Sequence, residues 1–187
     1  MAQADSAKAV REIFLFQKEL NEEYLNRKES PLSPKDFRKF KHHDFFPINL
    51  SFRVAAKLKM VANSPFVAFK TTTTRLDDNR IYAMAEFTLS GKFFSIPVYQ
   101  SRNLLTTEKY RDYLFFPFTD ETNGKETYDG GRYIDLRIPA SGDEIVIDFN
   151  KAYNPYCAYS AGFSCPLVPA ENNFDIPIPV GVKYLKK

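Results

Sequence analysis

Near residue 50 the spacing of apolar side chains changes from that of a helix to that of a strand, and no long helical pattern follows. Phe52, Val54, Ala56, Leu58 and Met60 alternate with Ser51, Arg53, Ala55, Lys57 and Lys59, the period of two that gives a strand one buried and one wet face. Segments of the same character recur at 66–73, 81–89, 92–99, 114–116, 133–138 and 144–149. Ser90-Gly91 is a hairpin-length connection, Asp77-Asp78-Asn79 reads as a turn, and residues 106–111 read as one helical turn. Parallel strands need crossover helices, and none stands between these segments, so a doubly wound sheet is excluded. The expectation is a mainly β fold, an antiparallel β-barrel or roll of about seven or eight strands. The 18 Phe and 11 Tyr of this 187-residue chain suit it, since aromatic side chains favour strands.

The chain before and after this block differs from it. Over residues 6–28, Val10, Ile13, Phe14, Gln17, Leu20 and Tyr24 share one side while Lys18, Glu19, Glu22, Glu23 and Arg27 occupy the rest, which predicts one amphipathic helix. Ser33, Pro34 and Asp36 have the order of an N-cap, a first helical position and an acidic first turn. Half of the 12 prolines fall from Pro139 onward. Residues 151–187 are therefore predicted to be an irregular Pro-rich tail wrapping the strands of 50–150, with residues 1–187 forming a single domain.

Composition narrows the function classes. The 26 basic residues nearly balance the 23 acidic ones, and without a local basic patch this does not predict a nucleic-acid partner. No run is long and apolar enough for an integral membrane segment. Phosphate-binding glycine loops, nucleophile elbows and zinc-protease signatures are missing from the sequence, so no cofactor is expected. His42 and His43 are adjacent and need ligands from elsewhere to hold a metal; no metal site is predicted. The stretch Asp120-Glu121-Thr122-Asn123-Gly124 lacks the spacing of a calcium loop and reads as a polar turn.

The stretch from Phe116 to Tyr133, with Thr122-Asn123-Gly124-Lys125-Glu126-Thr127-Tyr128 and Gly130-Gly131-Arg132-Tyr133, is followed by Asp148-Phe149-Asn150-Lys151-Ala152-Tyr153-Asn154-Pro155 and by Cys165-Pro166. Together with Ser30-Pro31-Leu32, Phe45-Phe46-Pro47 and Phe52-Arg53-Val54, these residues resemble domain-of-unknown-function family 1684 over most of the chain. The resemblance implies a bacterial or archaeal protein, often exported, but no activity. A periplasmic, envelope-associated or secreted location is expected on that ground, and Ala2-Gln3-Ala4 before Asp5 has the small-x-small form of a signal-peptide end.

Within those elements the residues suggest one polar site. Arg132, Tyr133, Asp148, Asn150, Lys151, Tyr153 and Asn154 are the candidate ligand-binding residues, a set suited to an anionic or carbonyl-bearing small molecule, with Arg132 able to bind in a bidentate manner. Arg132 shares parity with Ile134, Leu136 and Ile138, so its charge points inward and needs a carboxylate. Asp148 is the expected partner and Glu126 the fallback. The structural alternative is that these polar groups pair among themselves and stabilise turns. Cys157 and Cys165 fit a disulfide in an exported protein, worth about 2.5 kcal/mol in the chain-entropy model, or a buried thiol pair in a cytosolic one. The leading functional expectation is a small-molecule-binding or cell-envelope-associated module. The alternatives are a hydrolase or transferase using Asp148, Lys151 and Cys157, and a structural interaction protein presenting its tail.

Overall fold

The computed structural model describes residues 2–184; the last three residues of the expected tail, 185–187, lie outside the described residues. Helix α1 spans Ala2–Leu25. It starts earlier than the apolar periodicity predicts because Ala2, Ala4 and Ala7 favour helix. It stops before residue 28 because the Asn26 carboxamide accepts the Lys28 N–H at 3.2 Å and donates to Glu29 at 2.8 Å, competing with the helical ladder. The buried stripe is Ala9, Ile13, Leu20 and Tyr24, while Phe14, expected on it, is 59% exposed. Ser33 caps the short helix α2, Pro34–Phe37, by accepting the Asp36 N–H at 3.2 Å.

Seven strands follow, at the places where the period is two: β1 Arg53–Met60, β2 Val67–Lys70, β3 Leu76–Leu89, β4 Lys92–Ser101, β5 Tyr113–Phe118, β6 Arg132–Arg137 and β7 Glu144–Asp148. Their order is β6-β5-β4-β3-β1-β7, with β2 paired to β3, and every pairing is antiparallel. The two ends of that order, β6 and β7, are successive in the chain and bring the sheet round into a nearly closed antiparallel barrel. Ser90 and Gly91 both have positive φ, 51° and 78°, the geometry of a tight hairpin between β3 and β4. The expected turn at Asp77-Asp78-Asn79 is instead ladder: Asn79, Asp78 and Asp77 pair with Val67, Ala68 and Phe69 of β2. Cross-strand pairing there outweighs the turn preference of Asp and Asn.

The barrel interior is aromatic. Phe87, Phe94, Phe116, Phe118 and Phe149 pack with Phe174, Ile178 and Val180 in one buried cluster. The tail is irregular as expected, but it does more than wrap: Phe174, Ile178 and Val180 complete the core. The signal is a second run of alternation, Phe174, Ile176, Ile178, Val180 and Val182, with Pro177 and Pro179 at intervening positions.

A second cluster holds α1 to the tail. Leu20, Tyr24 and Val182 pack with Phe40, Phe45, Tyr156 and Tyr159. His43 sits among them, with Tyr24 edge-on at 4.3 Å and Phe40 at 5.0 Å. Burial, with a smaller contribution from His42, pushes His43 down to about 4 from 6.5. Its folded pKa lies below the unfolded value, so its stabilising contribution is complete above pH 6.5 and is lost as pH falls toward 4. Urea unfolding is expected to show a stability loss of up to about 1.4 kcal/mol per pH unit across that window. The difference between wild type and His43→Phe isolates it from carboxylate titration; parallel pH profiles for the two would refute the assignment.

Candidate functional site

The residues expected to form one site are divided between the two faces of the sheet. Arg132 projects into the barrel and is fully buried, as its parity with Ile134 and Leu136 requires. Its partner is neither Asp148 nor the exposed Glu126 but Asp120, at 2.8 Å from Nη2. The same guanidinium donates to the Ile178 carbonyl at 2.8 Å and to the Val180 carbonyl, and it lies over the Phe118 ring at 5.1 Å. The other Asp120 oxygen accepts the Ile178 N–H at 3.1 Å, the Thr122 N–H at 2.9 Å and the Thr122 hydroxyl at 2.6 Å. Asp120 and Arg132 thus clamp the tail backbone inside the barrel. The polar turn supplying Asp120 immediately follows β5, where Phe118 pairs with Arg132, whereas Asp148 closes β7, where it pairs with Arg53 of β1.

Asp148 and Asn150 serve the turn after β7. Asp148 caps residues 149–151 by accepting the Asn150 N–H at 3.1 Å and its carboxamide at 2.9 Å. Its other oxygen lies 3.3 Å from Arg53 Nε, a charge contact without hydrogen-bond alignment, since neither atom has an aligned partner. Arg53 also reaches Glu12 of α1 at 3.4 Å. The Asn150 side chain exchanges two hydrogen bonds with the Asn49 backbone, at 2.8 and 3.0 Å. Lys151 is half-buried at the end of that turn. Asn154 donates to Tyr159 at 2.9 Å and to the Lys183 carbonyl at 3.4 Å. Gly131 admits the close approach of another backbone: at φ +88° a Cβ there would stand 2.6 Å from the Phe118 carbonyl oxygen.

Tyr133 and Tyr153 are the two expected residues that do meet at an open surface. They cross edge to face at 6.0 Å on the outer side of β6 and exchange backbone hydrogen bonds at 2.9 and 3.0 Å. With Tyr99, Phe115 and Tyr113 they form an aromatic layer outside the barrel. Between this layer, α1 and the tail runs a cleft of about 410 Å³, lined by Phe16, Glu19, Leu20, Glu23, Tyr133, Asp135, Tyr153, Pro155, Tyr156 and Cys165. A second hollow of about 330 Å³ adjoins it across Tyr133 and Tyr153.

Asp135 is the polar centre of the cleft. Tyr113 and Tyr153 each donate a hydroxyl to its Oδ1 at 2.7 Å, and among the described residues Oδ2 accepts no hydrogen bond. Burial and the negative charge of Asp135 raise both phenols well above the ordinary tyrosine value, so they remain donors at neutral pH. Across the cleft Tyr156 donates to Glu23. The lining holds three carboxylates, Glu19, Glu23 and Asp135, and no Lys or Arg. Strand alternation puts Asp135 on the same face as Tyr133, but Glu23, Tyr113 and Tyr156 come to them only in three dimensions.

Cys157 and Cys165 stand as free cysteines, the thiol-pair alternative to the expected disulfide. They are nonetheless neighbours: the Cys157 N–H points at the Cys165 sulfur at 3.3 Å. Among the described residues no cluster of His, Cys, Asp and Glu is arranged to hold a metal ion, and no helix is long and apolar enough to cross a membrane.

The family model described as a protein of unknown function, DUF1684, matches residues 38–183. The chain belongs to that family. The matched span contains the Asp120–Arg132 clamp and the β6 and tail walls of the cleft; the α1 wall, with Glu19 and Glu23, precedes it. An uncharacterised protein of Haloarcula marismortui, solved in solution by NMR, is similar over 97% of both chains at 29% identity with a TM-score of 0.75. Its fold therefore extends beyond the family span to include the region of α1. No curated protein matches the chain.

Proposed function

We propose that this family member is a small-molecule-binding module, and that its ligand is an organic cation with an apolar body, such as an aromatic or alkyl amine. One observation carries the reading: the cleft of about 410 Å³ has tyrosine and aliphatic walls, three carboxylates and no cationic side chain. Its size and mostly apolar lining with few polar groups are those of a ligand pocket. An ammonium group beside Asp135 Oδ2 gains a charge-assisted hydrogen bond, and the faces of Tyr133, Tyr153 and Tyr156 add cation–π attraction. This reverses the charge preference expected when Arg132 was placed at the site. The enzyme reading that used Asp148, Lys151 and Cys157 is not favoured, because Asp148 is committed to Asn150 and Arg53.

Titration of the isotope-labelled protein with phenethylamine and with phenylacetate, similar aryl bodies of opposite charge, tests it. The amine is expected to shift resonances of Asp135, Tyr153 and α1. Asp135→Asn should weaken amine binding by roughly tenfold, and raised salt should weaken it further. Equal response to both compounds, or amine binding unaffected by Asp135→Asn, would sink the proposal.

A further inference from the structure

The cysteine pair lies beside the cleft and has chemistry of its own. Cys157 occupies the turn Tyr156–Ala158 and is half-buried, whereas Cys165 is buried. The extended segment carrying Cys165 is fixed to the region after β2: Thr72 N–H donates to the Cys165 carbonyl at 2.9 Å, Cys165 N–H to the Thr72 hydroxyl at 3.1 Å, and Leu167 N–H to the Lys70 carbonyl at 2.9 Å. The Cys157 sulfur lies 4.0 Å from the Tyr128 hydroxyl. Cys157 is thus the more exposed of two neighbouring thiols, and Cys165, which lines the cleft, is held on a fixed extended segment.

We propose that Cys157 and Cys165 form a thiol–disulfide exchange site, with Cys157 as the attacking sulfur and Cys165 as the resolving one. The co-reactant is a low-molecular-weight disulfide, RSSR. The Cys157 thiolate attacks one of its sulfurs, forming a mixed disulfide and releasing one RS⁻. Cys165 then loses its proton and attacks the Cys157 sulfur, expelling the second RS⁻. Both cysteines are oxidised to one disulfide, and RSSR is reduced to two thiols. The roles follow from access and hydrogen bonding. Hydrogen bonds from Cys165 and Tyr128 favour the Cys157 thiolate and lower it to about 7, while the same contact with Cys157, together with burial, raises Cys165. The exchange site does not rest on the amine proposal: Cys165 lines the cleft, but the carboxylates that carry that reading take no part in the exchange.

The experiment treats the reduced full-length chain with oxidised glutathione and follows intact mass under denaturing, acid-quenched conditions. Wild type is expected to lose two hydrogens without retaining glutathione and without dimerising. Cys165→Ser should stop at one glutathione on Cys157, and Cys157→Ser should react roughly tenfold more slowly, its remaining thiol being buried. Circular dichroism confirms that each serine variant is folded, and the wild-type result stands without them. A wild-type chain that stays reduced, retains glutathione or cross-links to a second chain would overturn the proposal, as would equal rates for the two variants.

Discussion

Arg132→Ala is expected to lower the unfolding free energy by roughly 3–5 kcal/mol, as measured by urea denaturation, because it strands a buried charge. The side chain is inaccessible to solvent, and its Nη2 pairs with Asp120 at 2.8 Å. Removing it leaves Asp120 Oδ2 buried without its partner and frees the carbonyls of Ile178 and Val180 from their donor. Asp120→Ala should cost a similar amount, since it orphans the guanidinium. The double variant should lose less than the sum, because the two groups share one network. A loss below about 1 kcal/mol for both single variants would mean that water reaches the clamp, contrary to a pair with no exposed side-chain area. Amine affinity in folded Arg132→Ala should stay near that of wild type, because Arg132 is absent from the cleft lining.

Phe174→Ala should be comparably damaging, at roughly 3–5 kcal/mol. Phe174 comes from the tail, yet its ring lies 4.8 Å from Phe94, 5.6 Å from Phe149 and 5.8 Å from Phe118. Truncation leaves a cavity among rings drawn from β4, β5 and the turn after β7, and the paired strands around it cannot collapse to fill it. Phe14→Ala is the matched control: 59% exposed on α1, it should change stability by no more than about 0.5 kcal/mol. Similar thermal and urea midpoints for the two variants would return the tail to the role of a surface wrapping.

These two effects concern one device. The tail contributes apolar side chains at alternate positions, and Arg132 with Asp120 holds its backbone where Pro177 and Pro179 provide no N–H. A buried ion pair here serves to satisfy backbone carbonyls that a proline-broken segment would otherwise bury unpaired.

The sequence by itself determined the strand count, the antiparallel arrangement, the leading helix and the inward aim of Arg132, because each follows from periodicity and parity, which are properties of neighbouring residues. It missed the strand at Asp77–Asn79, where pairing with β2 overrides local turn preference. Tertiary structure alone decided which carboxylate meets Arg132: hairpin adjacency suggested Asp148, but Phe118 pairs with Arg132 and so brings the turn after β5 to the guanidinium, while Asp148 pairs with Arg53 of β1. It also decided the sign of the candidate site. Asp135, Glu23 and Tyr156 lie on three separate segments, and only packing of α1 and the tail against the outer face of β6 brings their side chains to one cleft. Charge complementarity depends on distances through space, and no local pattern in a chain encodes those distances.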